Sequence, residues 1–258
     1  MNRLEGKWVL VTGASSGIGE GCAKRFAASG SNLVLVARRE ERLNELKRTL
    51  VDDHRIDVRA YALDVRNRGA VGVFSKWLAD HITAPDVLIN NAGLASGLEK
   101  FFEGDFEDWD KMIDTNVKGL LNVTRHVVPL MVSQNRGHII NIGSIAGHMV
   151  YPGGNVYNAT KFATRALNQA MAIDLVGTNL RVSSIDPGAA ETEFSKVRFH
   201  GDENKVKEVY RGFRPLTGDD VAEAVHFVAN APEHVNVLDL VIMPTAQRNP
   251  YVLHREEG

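Results

Sequence analysis

Tyr157 and Lys161 stand four residues apart in Tyr157-Asn158-Ala159-Thr160-Lys161, on a stretch whose apolar spacing at Phe162, Ala166 and Ala170 reads as helix. One helical turn therefore brings a phenol and an ammonium to the same face. A phenol has an ordinary pKa of about 10, so it works as acid and base near neutrality only if its anion is stabilised. A cation roughly 4 Å away, at an effective dielectric of about 20, supplies on the order of 4 kcal/mol, or up to about three pKa units. The same spacing also describes an ordinary exposed Tyr and Lys, so other residues must decide between the two readings.

A second set of residues has the chemistry of phosphate binding. Thr12-Gly13-Ala14-Ser15-Ser16-Gly17-Ile18-Gly19 follows an apolar strand and leads directly into a helical run beginning at Glu20. Glycines let the backbone approach a pyrophosphate closely, and the helix start supplies unpaired N–H groups and a partial positive charge. The cofactor residues expected here are Gly13, Ser15, Ser16, Gly17, Ile18 and Gly19, the alternative being a tight structural turn. The second apolar strand ends in Ala37-Arg38-Arg39, where an NAD site usually carries a carboxylate. A guanidinium there grips a 2′-phosphate, so NADP(H) is expected, with Arg38 as the first clamp and Arg39 partly solvated. Asp64 and Val65, just past the third strand, fall where an adenine would lie, although Asp64 reads equally well as a helix cap.

Positioning these groups requires a scaffold whose strand ends converge. Apolar runs at 7–12, 32–37, 57–62, 86–90, 136–142, 180–186 and 237–242 alternate with helix-period segments at 17–29, 39–50, 67–80, 106–132, 156–177 and 218–230. Runs as continuous as Leu33-Val34-Leu35-Val36 imply burial on both faces. The predicted fold is α/β: a Rossmann-type doubly wound parallel seven-stranded sheet with helices on both faces, in a single domain over 1–258. Only 188–217 breaks the rhythm and reads as an excursion over the carboxyl edge of the sheet, with 244–258 as a C-terminal tail. A net charge of −2 supplies no footprint for nucleic acid, and no apolar run of bilayer length occurs, so neither nucleic acid nor membrane is an expected partner. The polar start before Lys7 is too short for a targeting core, and Cys22 is the one cysteine; a cytoplasmic location and a buried structural thiol are expected.

With Thr12 to Gly19, Asn90-Asn91-Ala92-Gly93, Asn116, Ser144, Tyr157 with Lys161, and Pro187-Gly188 with Thr192 in this order, the chain resembles the short-chain dehydrogenase/reductase family over almost its whole length. Tyr151 to Tyr157, Thr192 to Phe199, Pro215-Leu216-Thr217 leading into Asp220 to Val225, and Met243 to Gln247 resemble its NADP-dependent 3-hydroxy acid (serine) dehydrogenase branch. The resemblance implies that Tyr157 protonates a carbonyl oxygen as hydride is delivered, while Ser144 hydrogen-bonds the same oxygen. Lys161 would lower the Tyr157 pKa and bind the nicotinamide ribose. Asn116, poorly suited to a helix interior, would mark a bend feeding a proton relay, or else be a satisfied buried amide. Asn90, Ala92 and Gly93 would border the cofactor, and Pro187, Gly188 and Thr192 would shape the nicotinamide pocket.

The same branch resemblance implies a short 3-hydroxy acid or its semialdehyde as substrate, of the 3-hydroxypropionate, serine or 3-hydroxyisobutyrate type. Such an anion needs a cationic clamp. Arg198 and Arg255 are the expected ones among Lys196, Arg198, Arg214, Arg248 and Arg255, with Arg255 reaching a neighbour's pocket across a two-fold. His148 reads as a pocket acid, and no metal is expected, because no second and third ligand accompany it. Pairing of the helices over 106–132 and 156–177 would give a homotetramer or homodimer. The rival readings are a sulfoacetaldehyde or broader carbonyl reductase, and a nucleotide-sensing protein without turnover.

Overall fold

Val9, Val11, Leu33, Leu35 and Ile89 bury their side chains on one side of a sheet, and Leu10, Val34, Val36 and Leu88 on the other. Successive strand side chains point to opposite faces, so unbroken apolar runs need helices on both. The strands are β1 (Trp8–Thr12), β2 (Asn32–Ala37), β3 (Val58–Ala62), β4 (Val87–Asn90), β5 (Gly137–Ile142), β6 (Leu180–Pro187), the two-residue β7 (Ala190–Glu191) and β8 (Leu216–Thr217), and β9 (Asp239–Ile242). In this computed structural model, which describes residues 2–256, seven of them form a parallel sheet in the order β3-β2-β1-β4-β5-β6-β9. Met1, Glu257 and Gly258, included in the expected domain and tail, lie outside the described residues.

Helices α1 (Gly17–Ala27), α2 (Glu40–His54) and α9 (Gly218–Ala229) cover the first face through Phe26, Leu43 and Val225. The second face is covered by α3 (Arg68–Ile82), α5 (Leu120–Ser133) and α6 (Asn155–Asp174), through Phe74, Val127 and Met171. The chain leaves β1 towards β2 and β3, then returns to place β4 on the opposite side of β1. Such a reversal opens a crevice at the strand carboxyl ends.

Two segments differ from the expected elements. The helix expected over 106–132 is α4 (Phe106–Ile113), then a π-helical turn over Asp114–Gly119, then α5. The turn carries Asn116, whose side chain is drawn out to accept from the Leu94 N–H at 2.8 Å and to donate to the Leu94 carbonyl at 2.8 Å. A wider turn accommodates that tether. The excursion over 188–217 contains α7 (Glu193–Arg198) and α8 (Glu203–Tyr210), and its base is closed by pairing of β7 with β8. Thr192 caps α7 by accepting from the Phe194 N–H, and Asp202 caps α8. At six and eight residues these helices are too short to show a period.

Thr12 joins the two sides of the crevice. Its buried Oγ accepts from the Asn91 N–H at 3.0 Å and the Ala92 N–H at 3.1 Å, so the ends of β1 and β4 are held together. Replacing it by the near-isosteric valine leaves both N–H groups without that acceptor. Thr12→Val should lower the unfolding free energy by about 1–3 kcal/mol in urea titrations; an unchanged midpoint would count against this tie.

Candidate active site

The crevice at the strand ends is a cleft of about 490 Å³ whose walls come from almost every strand–helix connection. At one end the β1–α1 turn forms a cradle. Gly13 and Gly17 hold φ at +66° and +56°, and a Cβ on Gly19 would stand 2.3 Å from the Gly13 carbonyl oxygen. That backbone requires glycine, and it aims the unpaired N–H groups of α1 into the cleft. Two arginines border the cradle and behave differently. Arg39 donates to the hydroxyls of Ser15 and Ser16 at 3.0 and 2.7 Å and pairs with Glu193 at 2.8 Å. Arg38 lines the same rim, is exposed, and makes no hydrogen bond to the described residues. No carboxylate ends β2, so a free guanidinium and a glycine cradle fit the 2′-phosphate and pyrophosphate of NADP. Asp64 and Val65 line the far wall. Both Asp64 oxygens are taken by Arg66, at 2.6 Å for the closest contact, which holds the Asp64 carboxyl below the usual carboxylate range.

At the other end β5 delivers Ser144, and α6 delivers Tyr157 and Lys161. Ser144 accepts from the Ala146 N–H at 3.1 Å, which fixes the turn beyond the strand. Lys161 is 9% exposed and donates to the Ile142 carbonyl at 2.9 Å. Burial pulls its ammonium down to about 8, against the opposing charge of Asp186. Tyr157 is 8% exposed, and burial pushes its phenol up, above its ordinary value, although a hydrogen bond with Ser144 and the charge of Arg198 oppose this. The expected lowering by Lys161 does not dominate: its Nζ lies 5.9 Å from the Tyr157 ring centre and points to Ile142. The phenol is therefore held as a proton donor.

Over this pair lies the excursion. Phe194 of α7 packs edge-on against Tyr157, with ring centres 5.5 Å apart. Arg198, at the end of α7, stands over both the Tyr157 and Tyr151 rings, at 5.7 and 5.4 Å. It donates to the Gly97 carbonyl at 3.2 Å and the Tyr151 hydroxyl at 2.9 Å, while its buried Nη2 finds no hydrogen-bond partner among the described residues. An oriented guanidinium beside a phenol donor, both lining the cleft, is suited to a small anion carrying a carbonyl.

Most of the expected residues meet in the cleft: Gly13, Ser15 to Ile18, Arg38, Arg39, Asp64, Val65, Ala92, Gly93, Ser144, Tyr157, Lys161, Pro187, Gly188, Thr192 and Arg198 all line it. Gly19 lies beneath, against Gly13. Asn90 and Asn116 stand behind the wall, around a small second cavity that also touches Lys161. The amide that fixes the cofactor loop belongs to Asn91, which donates to the Thr12 and Gly13 carbonyls, whereas Asn90 turns to Thr124 and Asn141. Alternation of side chains at a strand end exchanges the two roles. Arg255 does not reach its own chain's cleft; it caps the carbonyls of Glu208, Val209 and Arg211 and lies over Phe213. His148 faces Asp186 at 2.7 Å. Tyr151, Glu193, Phe194 and Gln247 also line the cleft, Glu193 and Phe194 from the excursion expected over the carboxyl edge of the sheet.

A family profile described as short chain dehydrogenase matches residues 7–203. The chain is 48% identical over 240 residues to the NADP-dependent 3-hydroxy acid dehydrogenase YdfG of Escherichia coli (strain K12), covering 93% of this chain and 95% of that one. It is 44% identical to sulfoacetaldehyde reductase 2 of Chromohalobacter salexigens, covering 93% and 94%. Among solved structures, the closed form of serine dehydrogenase complexed with NADP+ superposes with a TM-score of 0.90 at 46% identity, covering 96% of this chain and all of that one.

Burying Lys161 has a measurable consequence. Because its folded pKa, about 8, lies below the unfolded value of 10.5, the unfolded chain binds more protons between those limits, and stability rises with pH across them. Below pH 8 the full cost of the charge is present, on the order of 3 kcal/mol. Lys161→Met should therefore stabilise the protein at pH 7 by about 1–2 kcal/mol, after the lost Ile142 hydrogen bond, and by nothing near pH 10.5. Unfolding free energies at the two pH values check this; an equal effect at both would contradict the assignment.

Proposed function

The chain belongs to the short chain dehydrogenase family, and we propose that its reaction is hydride transfer between NADP(H) and a short 3-hydroxy acid or its semialdehyde. It is an NADP-dependent oxidoreductase acting on CH–OH groups. The observation that carries the substrate reading is Arg198, whose guanidinium stands over the Tyr157 ring and whose side chain lines the cleft. A carboxylate bound there leaves a 3-aldehyde, two carbons away, beside Tyr157 and Ser144.

The β1–α1 cradle, Arg38 and Lys161 would hold NADPH, with Arg38 the residue suited to its 2′-phosphate, and the bound cofactor would supply the hydride. The protein's own part is proton transfer. Tyr157, kept protonated by burial, donates its phenol proton to the aldehyde oxygen, and Ser144 donates a hydrogen bond to the same oxygen as charge develops. The phenolate so formed is stabilised by the charges of Arg198 and Lys161. Lys161 opens onto the small cavity it shares with Asn116 and Asn90, whose Oδ1 is unpaired, and this polar space is the route by which the proton is replaced. In oxidation each step reverses.

A sulfonate satisfies the same guanidinium, and the 44% identical relative named sulfoacetaldehyde reductase 2 makes sulfoacetaldehyde the second reading. Ile113, Leu121, Phe162 and Ile173 are exposed on α4, α5 and α6, which supports pairing of these helices into a homotetramer or dimer. Among the described residues no helix is long and apolar enough to cross a membrane; a cytoplasmic location remains our reading. The chain is read as one domain, with 188–217 as the substrate lid.

NADPH oxidation with malonic semialdehyde, sulfoacetaldehyde and an apolar aldehyde tests the substrate class. Arg198→Ala should raise KM for the charged aldehydes by roughly 10–100-fold while leaving the apolar one within about threefold; equal effects on all three would sink the clamp. Tyr157→Phe should lower kcat by at least about 10²-fold, and turnover that persists would assign the acid elsewhere. Arg38→Ala should weaken NADPH by roughly tenfold or more, with NADH unaffected.

A further inference from the structure

Behind Ser144 and Lys161 lies a buried acid that the proton transfer just described does not use. Asp186, near the carboxyl end of β6, has 2% of its side chain exposed. One of its oxygens accepts from the His148 Nε2–H at 2.7 Å, the other from the Ser184 hydroxyl at 2.7 Å. An ionised carboxylate only accepts, so this contact fixes the His148 tautomer with the proton on Nε2. His148 closes the 3₁₀ turn that begins after Ser144, and its side chain is 21% exposed, so the dyad runs from the loop above Ser144 into the protein. The backbone is shaped around this acid: a Cβ on Gly143, the residue before Ser144, would stand 1.7 Å from Asp186 Oδ1. Only glycine lets the end of β5 pass over the carboxylate.

Lys161 leaves the same strand end, through its bond to the Ile142 carbonyl. The titratable groups facing its ammonium are few. Its own helix contributes Tyr157, and β6 contributes Asp186 with His148 behind it. The strands and the π turn that enclose the adjoining cavity contribute the uncharged Thr12, Asn90 and Asn116. Among the described residues, Asp186 is thus the one anion acting on this buried cation.

We propose that Asp186 and His148 are positioning residues for the reaction: His148 and Ser184 lock the carboxylate, which keeps the Lys161 ammonium charged and seats the strand end that carries Ser144. This rests on Lys161 belonging to the reacting set. A buried carboxylate stays ionised only where hydrogen bonds favour its anion, and His148 supplies one of the two seen here. Without that anion the buried amine sheds its proton at lower pH, so the high-pH limb of turnover moves down.

The test compares Asp186→Asn, Asp186→Glu and His148→Ala with the unaltered chain by two readouts. The first is the titration of Lys161 in the cofactor-free protein, followed by NMR of 13Cε-labelled lysine and assigned with Lys161→Met. The second is kcat against pH on whichever aldehyde the protein reduces. Asp186→Asn should move both the titration and the high-pH limb down by about one pH unit or more, and Asp186→Glu should restore both positions. His148→Ala should move them the same way by less, because a carboxylate without this donor is no longer locked in place beside the strand end; this variant decides the matter if Asp186→Asn does not fold. A Lys161 titration that stays in place in these variants, with activity merely scaled down at every pH, overturns the proposal. If no charged aldehyde is reduced yet the titration moves, the substrate reading falls and the role of Asp186 stands.

Discussion

Lys161 places a positive charge where it is 9% exposed, with a single carbonyl to receive it and burial pulling its proton off near pH 8. Removing an ammonium from water costs several kcal/mol unless neighbours replace the lost solvation. The surroundings of the site follow from that constraint. β5 must end where its Ile142 carbonyl faces α6, and Gly143 must lack a side chain so that a carboxylate fits below. α6 must lie close enough to this turn that a Cβ on Gly147 would come within 2.7 Å of the Lys161 carbonyl. A charge kept where it is unfavourable acts strongly on its neighbours for the same reason: low dielectric raises both the cost and the leverage. The stability spent on Lys161 is thus inseparable from its use.

The scaffold was legible because its signal is redundant. Val9 to Val11 and Leu33 to Val36 alternate between two buried faces, so these runs are apolar without interruption and the doubly wound parallel sheet can be read directly. The cradle and the Tyr157–Lys161 pair were equally visible, since local spacing fixes both. What the sequence did not reveal depends on side-chain direction or on partners far along the chain. The π turn exists because Asn116 reaches Leu94, 22 residues away. Asn91 replaces Asn90 at the cofactor loop through a single step of strand alternation. The Tyr157 phenol stays protonated because burial outweighs a lysine that is near in sequence but turned towards Ile142. α7 and α8 were missed because two turns of helix carry no period, though their caps at Thr192 and Asp202 were there to be read.

The excursion over 188–217 borders the cleft while being weakly fastened to the cradle. Glu193 at the start of α7 pairs with Arg42 and Arg39, and these guanidiniums hold its carboxyl down to about 2. All three side chains are more than 40% exposed, so water screens the pairs and each contributes little to stability. A latch of this kind releases without disturbing the core. The same helix presents Phe194, next to Glu193, and Arg198, at its far end, to Tyr157, one excluding water and the other supplying charge. One short helix thus borders both the phenol and the guanidinium of the cleft, and Arg39 ties it to the cradle because it binds Ser15 and Ser16 as well as Glu193. Arg39 therefore couples the cradle to the excursion through one exposed guanidinium, whose donors are shared among Ser15, Ser16 and Glu193.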